Sequence, residues 1–94
     1  MKVVGLGNLQ AYSEQHHHAR PQLDAWVREA ATATWRSRQD IESRYANVSF
    51  VRDDRVIFPI RSDALRLDVK ISYPNLIVLI VRVGTSAEST SWSF

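Results

Sequence analysis

Three cations, Arg66, Lys70 and Arg82, are spaced so that two adjacent strands would carry them on one face, and the chemistry open to such a face is to grip phosphate. Residues 65 to 72 alternate strictly. Leu65, Leu67, Val69 and Ile71 point one way, and Arg66, Asp68, Lys70 and Ser72 the other, which is the period of a half-buried strand. Tyr73-Pro74-Asn75 supplies a turn, because Pro presets a turn φ and Asn tolerates left-handed backbone. Ile77 to Val83 is a β-branched run broken only by Leu79 and Arg82, which predicts a central strand covered on both faces. A three-residue loop at 73–75 sets Arg66 directly opposite Arg82, with Cβ atoms about 5 Å apart. Like charges so placed repel unless an anion lies between them, and that anion is either Asp68 or a phosphate. A cross-strand ion-pair ladder on a solvated face is the plain alternative.

The elements that must hold these residues follow from length and patterning. At 94 residues the chain is one domain, enough for a single core; residues 1–84 are expected to form it, with 85–94 a polar tail anchored wherever Trp92 or Phe94 finds a groove. The absence of cysteine excludes disulfides, thiolate metal sites and cysteine nucleophiles. No apolar run approaches the ~20 residues of a membrane span, and Met1 to Gly5 lacks the apolar core of a signal peptide. A cytoplasmic location without a membrane partner is therefore expected. Charge is uneven: Arg44 to Arg82 holds seven Lys/Arg against four Asp/Glu, while the rest holds five against six. Ten of the twelve cations are Arg, whose planar fork suits phosphate.

In the first half, Lys2 to Gly5 predicts a short strand and Asn8 a helix cap, with the helix running to about Gln15. His16-His17-His18 falls at its end, where consecutive side chains diverge and cannot converge on one ion; no metal is expected. Pro21 opens a second helix whose apolar stripe is Leu23, Trp26, Val27 and Ala30, continuing to Ala33 or Thr34. Trp26 and Trp35 would then lie about 180° apart, unable to share a core. Ser37-Arg38-Gln39-Asp40 resembles a capping box opening a short third helix. Strands at Val48 to Val51 and Arg55 to Ile60 follow, with Pro59 at an edge or bulge, and Ser62-Asp63 turns into the Leu65 strand. The order predicts an α+β domain: an antiparallel sheet of three to five strands with two or three N-terminal helices on one face.

The residues also resemble a family. Arg66-Leu67-x-Val69-Lys70-Ile71-x-Tyr73, then a strand ending in Gly84-Thr85-x-x-Glu88, with Leu23-x-x-Trp26, Ala33-x-Trp35, Asp40-Ile41 and Arg55-Val56-x-Phe58-x-Ile60 upstream, is similar to the HigB toxins of bacterial toxin–antitoxin systems, within the RelE-like mRNA interferases. The resemblance implies a RelE-like fold, cleavage of mRNA, often on the ribosome, no cofactor, and a helix-turn-helix antitoxin of the HigA type as partner. The chain departs from the family's Gly-Thr-His-x-Glu-Tyr-Asp at Ser86, Ser89 and Thr90, and has Pro59 where Asn is common.

RNA cleavage without metal needs an activated 2′-hydroxyl, charge stabilisation on the phosphorane and a proton for the leaving 5′ oxygen. Arg66 and Arg82 are the expected phosphate clamp, Lys70 a neighbouring phosphate contact or proton donor, and Glu88 a candidate base. Arg52, Arg55 and Arg61 add cations for RNA, and Trp92 a surface for a base. With Ser86 and Ser89 in place of His and Tyr, proton transfer is weak, so cleavage is expected to be slow on free RNA and to rise with pH. The competing function is a catalytically weakened HigB-like module that only binds its antitoxin and takes part in repression.

Overall fold

The computed structural model describes residues 1–60 and 64–94; Arg61 and the Ser62-Asp63 turn lie outside the described residues. In chain order the elements are β1 (Lys2–Val4), α1 (Leu6–Gln15), a 3₁₀ turn (His17–Ala19), α2 (Arg20–Thr32), α3 (Arg38–Glu42), β2 (Ser49–Phe50), β3 (Arg55–Ile60), β4 (Leu65–Ser72), β5 (Ile77–Thr85) and α4 (Ser86–Ser89). The strands form one sheet in the order β1-β5-β4-β3-β2. The α+β class is as the sequence predicts. Within the sheet β2 to β5 pair antiparallel, while β1 joins β5 in parallel, which makes the sheet mixed.

Gly5 explains how a strand becomes a helix with no loop between them. Its φ of 84° is left-handed, and a Cβ there would sit 2.5 Å from the Ile80 carbonyl oxygen, so only Gly fits. Gly5, not Asn8, is the N-cap of α1. Asn8 instead lies inside the helix and donates its side-chain amide to the carbonyls of Ile80 at 2.8 Å and Val81 at 3.3 Å.

The helices pack on one face of the sheet. Leu9, Leu23, Trp26, Ala30 and Ile41 meet Val56, Phe58, Leu67, Val69, Val78 and Ile80 in a single buried cluster; each such large side chain removed from water contributes about 1.5–3 kcal/mol. Pro21 lies in the first turn of α2 as expected, but α2 stops at Thr32, with Ala33 extended. That break corrects the expected opposition of the two tryptophans. Trp35 returns to the same core, its ring 6.4 Å from Trp26, with Phe58 5.2 Å from Trp26 and 5.7 Å from Trp35. Ser37 precedes α3 without a side-chain capping bond; Asp40 accepts from the Arg36 amide at 2.9 Å instead. Pro59 pairs with Arg66 on β3 beyond the short reach of β2, an edge position where its missing N–H costs nothing.

The β4–β5 register differs from the one the sequence suggests. Ser72 pairs with Ile77, so the loop has Tyr73 to Leu76 in it, with Leu76 at φ 55°. This shifts the pairing by one residue. An irregularity then follows, with Asp68 opposite Arg82 but Val69 opposite Ile80, leaving Val81 as the extra residue of a β-bulge. The bulge reverses the alternation. Val78 and Ile80 face the core, and without an extra residue Arg82 would follow them inward; with it, Val83 pairs with Leu67 and Arg82 turns to the outer face. Arg66 faces Gly84, not Arg82. Leu79, expected under cover, is 40% exposed.

Candidate functional site

The outer face is organised around a carboxylate. Asp68 has no exposed surface, and two guanidinium groups close on it. Arg55, from the neighbouring β3, places Nη2 2.5 Å from Oδ2 and Nε 3.2 Å from Oδ1, while Arg82, from β5, places Nε 2.9 Å from Oδ2. A buried carboxylate is costly unless paired and hydrogen-bonded, and these three bonds meet that cost. The triad carries one net positive charge, and its guanidiniums keep some access to solvent, with side-chain exposures of 18% for Arg55 and 33% for Arg82.

The chain after β5 folds over this face. Arg82 Nη2 donates to the Ser93 carbonyl at 2.9 Å, and its guanidinium lies 4.7 Å from the Trp92 ring centre and 5.3 Å from that of Phe94. Phe94 also receives Arg55 at 5.2 Å, and its carbonyl accepts from Arg52. Guanidinium and aromatic groups thus alternate as Trp92, Arg82, Phe94, Arg55, each contact worth about 0.5–1 kcal/mol where partly exposed. Both aromatic residues named as tail anchors pack here.

Arg66 and Lys70 flank the triad on the same strand. Arg66 is half-buried and directs Nη1 toward Ser89 Oγ at 3.4 Å, beside Gly84, where an added Cβ would meet Trp92 Cζ2 at 3.1 Å. Lys70 lies at the other end, exposed and 3.7 Å from Asp54, a solvated pair of little energetic weight. The expected clamp of Arg66 facing Arg82 is therefore corrected: the four-residue loop and the bulge slide Arg82 onto Asp68. Arg66, Arg82 and Lys70 share one face without meeting at one point.

Glu88 has a structural task. Thr85 caps α4, accepting from the Glu88 amide at 3.1 Å, and Glu88 Oε1 accepts from the Thr85 amide at 2.8 Å, a reciprocal capping box. The bond from the Thr85 backbone, then that with its side chain, holds the Glu88 carboxyl below its usual 4.5, which makes it a weaker base. Tyr73, part of the quoted motif, has a buried hydroxyl without a bond partner and a phenol pushed up by that burial. Among the described residues no three of His, Cys, Asp or Glu are grouped to hold a metal ion, and no helix is long and apolar enough to cross a membrane.

Sequence reasoning did not find the pivot of the site. The sequence pattern makes Arg55 one RNA contact among several; the signal that pairs it with Asp68 is their shared outer-face parity on adjacent strands.

The family model described as HigB_toxin, RelE-like toxic component of a toxin-antitoxin system, matches residues 19–90, a span from α2 to the end of α4. No curated protein matches the chain.

Proposed function

The chain belongs to the HigB toxin family, RelE-like toxic components of toxin–antitoxin systems, and we propose that it is an endoribonuclease that cuts messenger RNA, with the outer sheet face as its site. Membership implies an antitoxin partner; we infer one of the HigA helix-turn-helix type, and a cytoplasmic setting where mRNA and ribosomes are met. The observation that carries this reading is the row of Arg66, Arg82, Arg55 and Lys70 on one face, anchored by fully buried Asp68.

On this reading Arg82, held by Asp68 through Nε, meets a phosphate through the edge now given to the Ser93 carbonyl. Arg66 meets the same or the next phosphate beside Ser89, and Arg52 and Lys70 add electrostatic pull along the strand. Prearranged donors of this kind stabilise a pentavalent phosphorane by several kcal/mol when water is excluded. Trp92 offers a base a stacking surface in exchange for Arg82. The ribosome contributes a fixed substrate pose, which lowers the barrier by orientation.

A second reading is favoured by one observation: Glu88 is committed to the Thr85 cap, leaving the face able to bind RNA but poorly equipped to move protons. A module that binds its antitoxin and acts in repression would need no more. The two readings separate on induction of the chain alone in a bacterium. The nuclease reading expects arrested growth that co-expression of the adjacent helix-turn-helix protein relieves; unimpeded growth, with a stable complex still formed, identifies the binding module.

A further inference from the structure

The chain beyond α4 lies on the face that the ribonuclease reading gives to RNA, and the groups it engages are those a nucleotide would need. Its root is firm. The Ser91 and Trp92 amides donate to the Glu88 and Ser89 carbonyls, each at 3.2 Å, and Ser91 Oγ donates to the Glu88 carbonyl at 2.9 Å, which continues the turn of α4. Residues 92–94 adopt no regular secondary structure, and arginine side chains hold them to the sheet. The Ser93 carbonyl accepts from Arg82 Nη2 at 2.9 Å and the Phe94 carbonyl from Arg52 Nη2, while the Trp92 and Phe94 rings cover the guanidiniums of Arg82 and Arg55.

This is the contact pattern of a single-stranded nucleic acid. Carbonyl oxygens take guanidinium N–H edges, as phosphate oxygens do, and aromatic rings lie over guanidinium planes, as bases do. Asp68 binds Arg55 and Arg82 through three bonds that involve no residue of the segment, so both guanidiniums keep their direction whether or not residues 92–94 are in place. The segment covers a prepared site without building it. Its hold is light: Trp92 and Phe94 are half-buried and Ser93 is exposed, and cation–ring contacts at exposed positions are individually weak.

We propose that residues 92–94 are an autoinhibitory strap, a built-in competitor that RNA must displace from Arg52, Arg55 and Arg82 before its phosphates can be gripped; this inference rests on the ribonuclease reading above. Trp92 is the pivot. Its amide stays with α4 while Ser93 and Phe94 swing away, and its ring, released from Arg82, becomes the surface on which a base stacks. Apparent RNA affinity is then lowered by the fraction of molecules whose strap is open. RNA held on the ribosome presents its phosphates at high effective concentration and displaces the strap where dilute free RNA leaves it closed.

The test is the affinity for a fluorescein-labelled single-stranded RNA oligonucleotide, measured by anisotropy at fixed salt. Phe94→Ala removes the ring from both Arg82 and Arg55 and keeps both carbonyls, so it should tighten binding by about 5- to 30-fold, the effect of losing two partly exposed cation–ring contacts from the closed form. Phe94→Tyr keeps a ring over both guanidiniums and should match the parent. Phe94 lies outside the buried cluster, so the variants keep the fold, which circular dichroism checks. In fluorophenylalanine-labelled parent, the ¹⁹F resonance that Phe94→Ala lacks should move when RNA is added, while that of Phe58 in the core stays. Binding no tighter in Phe94→Ala, or a Phe94 resonance that bound RNA leaves in place, would overturn the strap; loss of the same binding in Arg82→Ala would keep the ribonuclease reading standing. RNA bound by neither the parent nor Phe94→Ala would remove both.

Discussion

Asp68 determines how much positive charge the sheet face can offer. It neutralises one guanidinium of two and fixes the direction of both. Replacing Asp68 with Asn leaves Arg55 and Arg82 in mutual repulsion across a buried amide, and should cost about 2–4 kcal/mol, toward the lower part of the range for broken buried pairs because both partners reach solvent. Thermal unfolding should show this as a fall of more than about 10 °C; a shift of a degree or two would mean that water already serves both guanidiniums. Arg66 is expected to act differently. If it contacts an RNA phosphate, Arg66→Ala should reduce the log–log salt slope of single-stranded RNA binding by about 0.7, and an unchanged slope would assign Arg66 to the fold instead. At this scale the strict alternation of Leu65 to Ser72 made the outer-face residues legible in the sequence. The burial of Asp68 was not, because it depends on Arg55 arriving from another strand.

Among the elements, β5 owes its function to a defect. The bulge at Val81 turns Arg82 out of the core and onto Asp68, and the bulge is held by Asn8, 72 residues from Ile80 in sequence. Asn8→Ala should therefore destabilise the protein by about 1–2 kcal/mol through unpaired carbonyls, measurable by urea unfolding, and should weaken RNA binding as well. Gly5→Ala, with its left-handed φ and the Ile80 carbonyl in the way, should cost more than Asn8→Ala; equal stability would mean that α1 enters differently. A register set by so distant a side chain cannot be read from local pattern, and the expected pairing of Arg66 with Arg82 failed for that reason. The end of α2 was equally hidden, since Ala33 and Thr34 carry no breaker and the turn toward the core is made by Trp35. The cap of α4 gives a pH prediction. Glu88 has a depressed folded-state pKa, so its contribution is complete above its ordinary 4.5 and is lost as pH falls below it. A nuclear magnetic resonance titration of the Thr85 amide should give a midpoint under 4.5, and a midpoint at or above that value would contradict the cap.

For the molecule as a whole, helices cover one face of the sheet and leave the other to charge, closed at one end by the chain from Thr85 to Phe94. The class, the helical first half and the four antiparallel strands were legible from periodicity, since hydrophobic alternation survives whatever the register; the parallel β1 was not, because three residues carry no pairing preference. The central claim is that the charged face cuts RNA. The most direct measurement maps the 5′ ends of transcripts after brief induction of the chain, beside the Arg66→Ala/Arg82→Ala double variant. New ends bearing 5′-hydroxyls should appear with the parent and vanish with the double variant. Transcripts left intact by the parent, or cut equally by both proteins, would contradict the account.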